Sequence, residues 1–180
     1  MPLIQVDGLS GTGKSTLSEE LVRRGHRAVD ADAAFAYFAD PTTGAPTLAE
    51  RRSNWKWDGR RLLAFAEHVG DDVVFVCGGA LNADDFRHLF TTHFTLVVDD
   101  DTLRHRILTR TNNDFGKDPD DLATQLAENR TAADAAAARG SIVIDAMQPV
   151  TAVADEVIRR AIGPVSHTST ADADTGDAAV

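Results

Sequence analysis

Along the chain, short continuous apolar runs alternate with stretches in which apolar positions recur every three or four residues, so strands and amphipathic helices are expected in turn. The runs at 3–7, 27–30, 72–77, 94–98 and 141–145 read as strands. Helices are expected from about 14 to 24, 57 to 69, 102 to 110, an Ala-rich one up to about 139, and 150 to 162. In the first, Leu17, Leu21 and Val22 share a face and Gly25 is a plausible stop; in the second, Leu62, Leu63, Phe65 and Ala66 offer an apolar side. The run at 72–77 is unbroken and ends in Gly78-Gly79, which fits a strand covered on both faces in a parallel sheet. Asp40 to Pro46 is dense in turn formers, and 111–119 is a polar loop. Strand-helix alternation of this kind predicts an α/β three-layer fold around a central five-stranded parallel sheet. One domain is expected over 1–163, and 164–180, with almost no large apolar residue, is expected to be a disordered tail.

Charge and cysteine content narrow the setting. Of 180 residues, 18 are Lys or Arg and 28 are Asp or Glu, a formal charge of −10. That balance counts against a nucleic-acid partner, whose phosphates need clustered cations, but leaves a small anionic substrate open. The single cysteine, Cys77, forbids an internal disulfide and suits a reducing compartment. No apolar stretch reaches the length of a membrane span, and the first residues lack the basic start of a signal peptide, so a cytoplasmic protein is expected. The six histidines are scattered without ligand spacing, which argues against zinc. Oligomeric state is open, a homodimer being one arrangement the sequence allows.

Candidate chemistry starts at Gly8-Leu9-Ser10-Gly11-Thr12-Gly13-Lys14-Ser15-Thr16, which satisfies G-x-x-x-x-G-K-[ST] between an expected strand and an expected amphipathic helix. The glycines let the backbone curl so that successive N–H groups converge on a phosphate, and the helix start adds its positive dipole end. Gly8, Ser10, Gly11, Thr12, Gly13, Lys14, Ser15 and Thr16 are therefore the expected ATP contacts, with Lys14 on the β- and γ-oxygens and the Ser15 hydroxyl on Mg²⁺. Such sites also need an acid on a neighbouring strand. The apolar run at 73–76 ends in Cys77-Gly78-Gly79-Ala80 with none, so the acids are sought at Asp30-Ala31-Asp32. Positions i and i+2 of a strand face one way, so Asp30 could hold a metal water while Asp32 accepts the acceptor's proton. Helix capping or a solvated loop is the plainer reading of the same acids. Gly78-Gly79 after a buried strand suggests backbone lying close to a substrate. Arg51, Arg52, Arg60 and Arg61 could clamp an acceptor phosphate or carboxylate, Arg52 first among them, or could form an exposed basic face. Phe35, Tyr37, Phe38, Trp55 and Trp57 could stack on a nucleobase or belong to the core.

With the P-loop, the Asp-x-Asp, the Gly-Gly and an Arg-bearing helix before a polar lid, the chain resembles small-molecule kinases of the nucleoside monophosphate kinase and shikimate/gluconate kinase group over about residues 3–162. The resemblance implies a lid at about 111–119 and an arginine that offsets charge on the transferred phosphoryl. Arg104, Arg106 and Arg110 are the candidates, Arg110 preferred because it borders the lid. It also implies that residues 145–149, Gln148 among them, lie against the nucleotide base. The Gly-Gly-Gly of shikimate kinases is Gly78-Gly79-Ala80 here, and their arginine pattern after the Asp-x-Asp is missing. The expected activity is ATP- and Mg²⁺-dependent phosphoryl transfer to a small molecule, nucleosides and nucleotides slightly ahead of shikimate- or gluconate-type hydroxyls. A nucleotide-gated ATPase switch without a small acceptor is the rival; a kinase of RNA ends is disfavoured by the charge.

Overall fold

A computed structural model describes residues 2–48, 52–111 and 113–163, with Arg52 through its backbone alone. The expected tail at 164–180, Arg51 and the side chain of Arg52 thus lie outside the described residues. Five strands, β1 (Leu3–Gly8), β2 (Arg27–Asp30), β5 (Val74–Cys77), β6 (Phe90–Val97) and β7 (Ile142–Asp145), form one parallel sheet in the order β2-β5-β1-β6-β7. A second, antiparallel pair joins β3 (Ala36–Phe38) to β4 (Trp55–Trp57). The helices are α1 (Lys14–Arg23), α2 (Ala31–Phe35), α3 (Gly59–His68), α4 (Asp100–Thr109), α5 (Pro119–Ala138) and α6 (Val150–Ile162).

Two cores explain the unbroken apolar runs. Phe75 and Cys77 of β5, Ile4 and Val6 of β1, and Phe94 and Leu96 of β6 pack with Leu17 and Leu21 of α1 and with apolar residues of α4, α5 and α6. The alternate positions, Val74, Val76 and Leu3, pack with Ala31 and Phe35 of α2, Leu62 and Ala66 of α3, and Trp57. A strand covered on both faces has no position that favours a polar residue, which is why alternation vanishes from its sequence. The order of the strands places the β1 end at the centre of the sheet's carboxyl edge, beside the ends of β5 and β6. Loops there are flanked by strand ends on both sides, the usual place for a ligand in an open α/β sheet.

Several expected details differ. The fourth run starts earlier, at Phe90: Thr91 is exposed and Thr92 and His93 are partly buried, so the first half of the strand carries no apolar run in the sequence. Trp57 is not the start of a helix: Asp58 caps α3 through the N–H groups of Arg60 and Arg61, and Trp57 ends β4 instead. The hairpin of β3 and β4 was not expected, since each strand is only three residues long. On α1 and α3, Val22 and Leu63 turn out to water rather than inward, at 54% and 43% exposure. Asp32 lies in the first turn of α2 rather than on a strand, because the Asp30 carboxylate accepts the N–H groups of Asp32 (3.0 Å) and Ala33 (3.2 Å) and starts the helix there. Asp30 is thus a cap, as the plainer reading held, and also part of the site.

Candidate active site

The curl after β1 is built by positive φ at Gly11 (92°) and Gly13 (104°), conformations that cost an L-residue and that glycine adopts freely. Gly11 also has no room for a side chain, since a Cβ there would lie 3.1 Å from Ile107. Thr12 is buried and pins the turn, its hydroxyl and its N–H both donating to the Leu9 carbonyl at 2.8 and 3.2 Å. Lys14 folds back over the loop and donates to the carbonyls of Gly8 (2.7 Å) and Leu9 (3.1 Å). Ser10, Gly11, Thr12, Gly13, Lys14, Ser15 and Thr16 line one cavity of about 490 Å³, a volume typical of small-molecule sites. Gly8 does not line it: its N–H donates to the Asp7 carboxylate at 2.7 Å, and its contribution is the carbonyl that holds Lys14.

Across the loop, the Ser15 hydroxyl donates to Asp30 Oδ2 at 2.7 Å. A hydroxyl and a carboxylate are hard oxygen ligands of the kind Mg²⁺ takes. Among the described residues no group of three acids, histidines or cysteines could enclose a metal. That fits Mg²⁺ held by one or two protein oxygens together with phosphate oxygens and water, and it does not fit a caged structural metal.

Asp32 lines the same cavity as Ser15 and bonds to the diglycine. Its Oδ1 accepts the Gly79 N–H at 3.3 Å, and its carboxylate also accepts the Trp55 indole N–H. Burial pushes this carboxyl above the usual range and the neighbouring Asp30 adds to the rise, while Lys14, Gly79 and Trp55 pull it back. The two acids of the Asp-x-Asp therefore serve different ends of the site, one at the P-loop hydroxyl and one at Gly79. The ring of Phe38 lies 4.7 Å from that of Trp55, so these two half-buried aromatics stand beside Asp32. Phe35 and Trp57 are buried in the core, and Tyr37 points to a separate pocket with Arg60 and Arg61. Of these aromatics, then, Trp55 meets Asp32, Tyr37 lines the separate pocket, and Phe35 and Trp57 belong to the core.

On the α4 side, Arg110 donates to the Ser10 hydroxyl at 2.8 Å and to the Phe115 carbonyl, joining the P-loop to the loop after α4. Its Nε is buried without a partner among the described residues, and burial lowers its pKa from the ordinary guanidinium value. Arg106 donates to the carbonyls of Thr12 (3.2 Å) and Ala146 (3.0 Å), tying the P-loop to the loop after β7. Both arginines and Gln148 line the same cavity, whereas Arg104 is exposed. The sequence reading did not single out Asp7, whose position at the last side chain before Gly8 was the available signal. It also missed the Trp55 indole as the partner of Asp32, a contact that depends on the hairpin.

Solved structures share this fold. A shikimate kinase from Acinetobacter baumannii in complex with shikimate is 16% identical, with a TM-score of 0.62, over 89% of this chain and 92% of that one. A gluconokinase from Sinorhizobium meliloti 1021 is 21% identical, with a TM-score of 0.52, over 89% and 93%. A deoxyadenosine kinase from M. mycoides with bound dATP is 15% identical, with a TM-score of 0.53, over 88% and 98%. The central five-stranded parallel sheet, the flanking helices and the P-loop after its first strand define the fold of P-loop small-molecule kinases. A family model described as an AAA domain matches residues 4–136, and the chain belongs to that family. No curated protein matches it in sequence.

Proposed function

We propose that the protein is a kinase that transfers the γ-phosphoryl group of ATP to a hydroxyl of a small molecule. The observation that carries this reading is the division of labour between Asp30, on the Ser15 hydroxyl, and Asp32, on the Gly79 amide beyond Lys14. Bound Mg²⁺ would supply charge neutralisation between the phosphoryl oxygens, held on the protein side by Ser15 and Asp30. Lys14 and the amides from Gly11 to Ser15 bind and orient the phosphates, and Arg110 brings its guanidinium from the lid border toward the transferred group. Asp32 orients the acceptor hydroxyl and takes its proton as the oxygen attacks phosphorus, the bond to the ADP oxygen breaks and ADP leaves. The raised affinity of Asp32 for a proton suits it to that transfer better than an ordinary surface carboxylate. A phosphate acceptor fits poorly, because its own charge would sit against Asp32. Nucleosides and hydroxy acids both satisfy the reading, and Trp55 with Phe38 would wall either.

The test is ADP release scanned over hydroxyl and phosphate acceptors above the acceptor-free rate. Lys14→Ala should abolish stimulated release with every acceptor, and Asp32→Asn should lower kcat with an alcohol by roughly 100-fold or more while leaving ATP affinity near that of the parent. Undiminished turnover in Asp32→Asn with an alcohol would reject the base, and no stimulation by any acceptor would favour a nucleotide-gated switch.

A further inference from the structure

Gly78-Gly79 is flanked by two carboxylates. Asp32 Oδ1 accepts the Gly79 N–H, and a Cβ added at Gly78 would lie 2.9 Å from that same oxygen. From the other side, a Cβ added at Gly79 would lie 2.3 Å from Asp7 Oδ1 and 3.8 Å from Asp7 Oδ2. The register explains the convergence. Val6 pairs with Cys77 in adjacent parallel strands, so Asp7 leaves the end of β1 level with Gly78 at the end of β5, while α2 brings Asp32 to the far side of the same dipeptide. At Gly79 an acid already occupies the space a side chain would take, and at Gly78 that space is shared by the Ala31 methyl, 2.7 Å from an added Cβ, and Asp32.

Asp7 is not consumed by the fold. Its hydrogen bond among the described residues is the single one from the Gly8 N–H, on Oδ1. The residue is half-buried rather than sealed, and the charge of Lys14 pulls its carboxyl and that of Asp32 back toward the ionised form. Two carboxylates thus flank one dipeptide. A ligand that enters this corner is therefore favoured if it brings hydrogen-bond donors and no negative charge of its own at that end.

Resting on the kinase reading, we propose that Asp7 is a second acceptor-binding carboxylate, so that the acceptor presents two neighbouring donors across Gly79: the hydroxyl that receives the phosphoryl on Asp32, and an adjacent hydroxyl or amine on Asp7. The substrate class is a vicinal polyol or an amino alcohol. Asp32 handles the reacting oxygen, and Asp7 sets which molecules are held in register with it.

The experiment measures ADP release with three sets of probes: vicinal polyols (gluconate, shikimate), an amino alcohol (glucosamine), and alcohols with one isolated hydroxyl (3-hydroxybutyrate, 2′,3′-dideoxynucleosides). The parent protein should be stimulated by the first two sets and little by the third. Asp7→Asn should raise KM for the effective probes by roughly tenfold or more, with the larger change for the amine and kcat changed less. ATP affinity and melting temperature, measured on the same variant, should not fall. Isolated hydroxyls that work as well as polyols in the parent would overturn the proposal and leave the kinase reading standing. An equal loss for every acceptor together with weakened ATP binding would also overturn it, by assigning Asp7 to the P-loop alone. Absence of stimulation by all probes would remove the kinase reading and this inference with it.

Discussion

At the residue scale, the acids around Lys14 are held at a cost to stability. The Asp7 carboxyl sits above its ordinary value of 3.8, chiefly through burial and secondarily through Asp84, with Lys14, the Gly8 N–H and Arg139 acting in the opposite direction. A carboxyl raised on folding binds its proton more tightly in the folded state, so stability falls as pH rises from the unfolded value through the folded one, and stays lower above it. Asp7→Asn should therefore melt higher than the parent at neutral pH, with the gap closing as the pH approaches ~4. Melting curves of both proteins across that range check this, and a variant that melts lower at pH 7 would mark the carboxylate as net stabilising. Cys77 sits in the opposite situation. It is 1% exposed, and burial pushes its thiol up to about 12, so it is a packing residue. A thiol reagent at pH 8 should leave the folded protein unlabelled and label it fully in denaturant; fast labelling of the native state would contradict the burial.

At the element scale, Asp30 has two duties that substitution can separate. Its Oδ1 caps α2 and its Oδ2 takes the Ser15 hydroxyl. Asn caps a helix about as well as Asp but lacks the charge a magnesium ligand supplies, whereas Ala does neither. Asp30→Asn should keep the melting temperature and raise the Mg²⁺ concentration needed for half-maximal activity. Asp30→Ala should show the same Mg²⁺ change and in addition lose about 1 kcal/mol of stability. Equal Mg²⁺ dependence in parent and Asn variant would confine Asp30 to capping. The diglycine after β5 is the second junction of this kind. Gly79→Ala would place a methyl group 2.3 Å from Asp7 Oδ1 in a row of strand ends that leaves little slack, so the carboxylate or the loop has to shift. Acceptor KM should rise in this variant more than KM for ATP, because the displaced group lies on the acceptor side of Lys14; the reverse ordering would place the strain on the P-loop.

At the scale of the whole molecule, the sheet order brings β1 between β5 and β6, and with it the P-loop between the diglycine and the arginines of α4. The sequence by itself determined the five strands of the parallel sheet, most helices and the glycine-rich curl, because these are local: an apolar run, a helical period and a glycine spacing each act over a few neighbouring residues. It also placed Lys14, Ser15, Asp30, Asp32, Gly78 and Gly79 together in one reading, since each follows a recognisable strand end. What it left open was decided by contacts between distant segments. Whether Trp55 walls the site or fills the core depends on a hairpin that pairs residue 38 with residue 55, and neither three-residue strand carries a period of its own. Arg106 and Arg110 reach the P-loop 94 and 100 positions away while Arg104 stays exposed; bordering the polar loop favoured Arg110 in the sequence, but no local signal pointed to Arg106. Asp7 meets the diglycine only because parallel pairing sets it level with Gly78; a lone acid at a strand end is silent until the neighbouring strand supplies the space it fills.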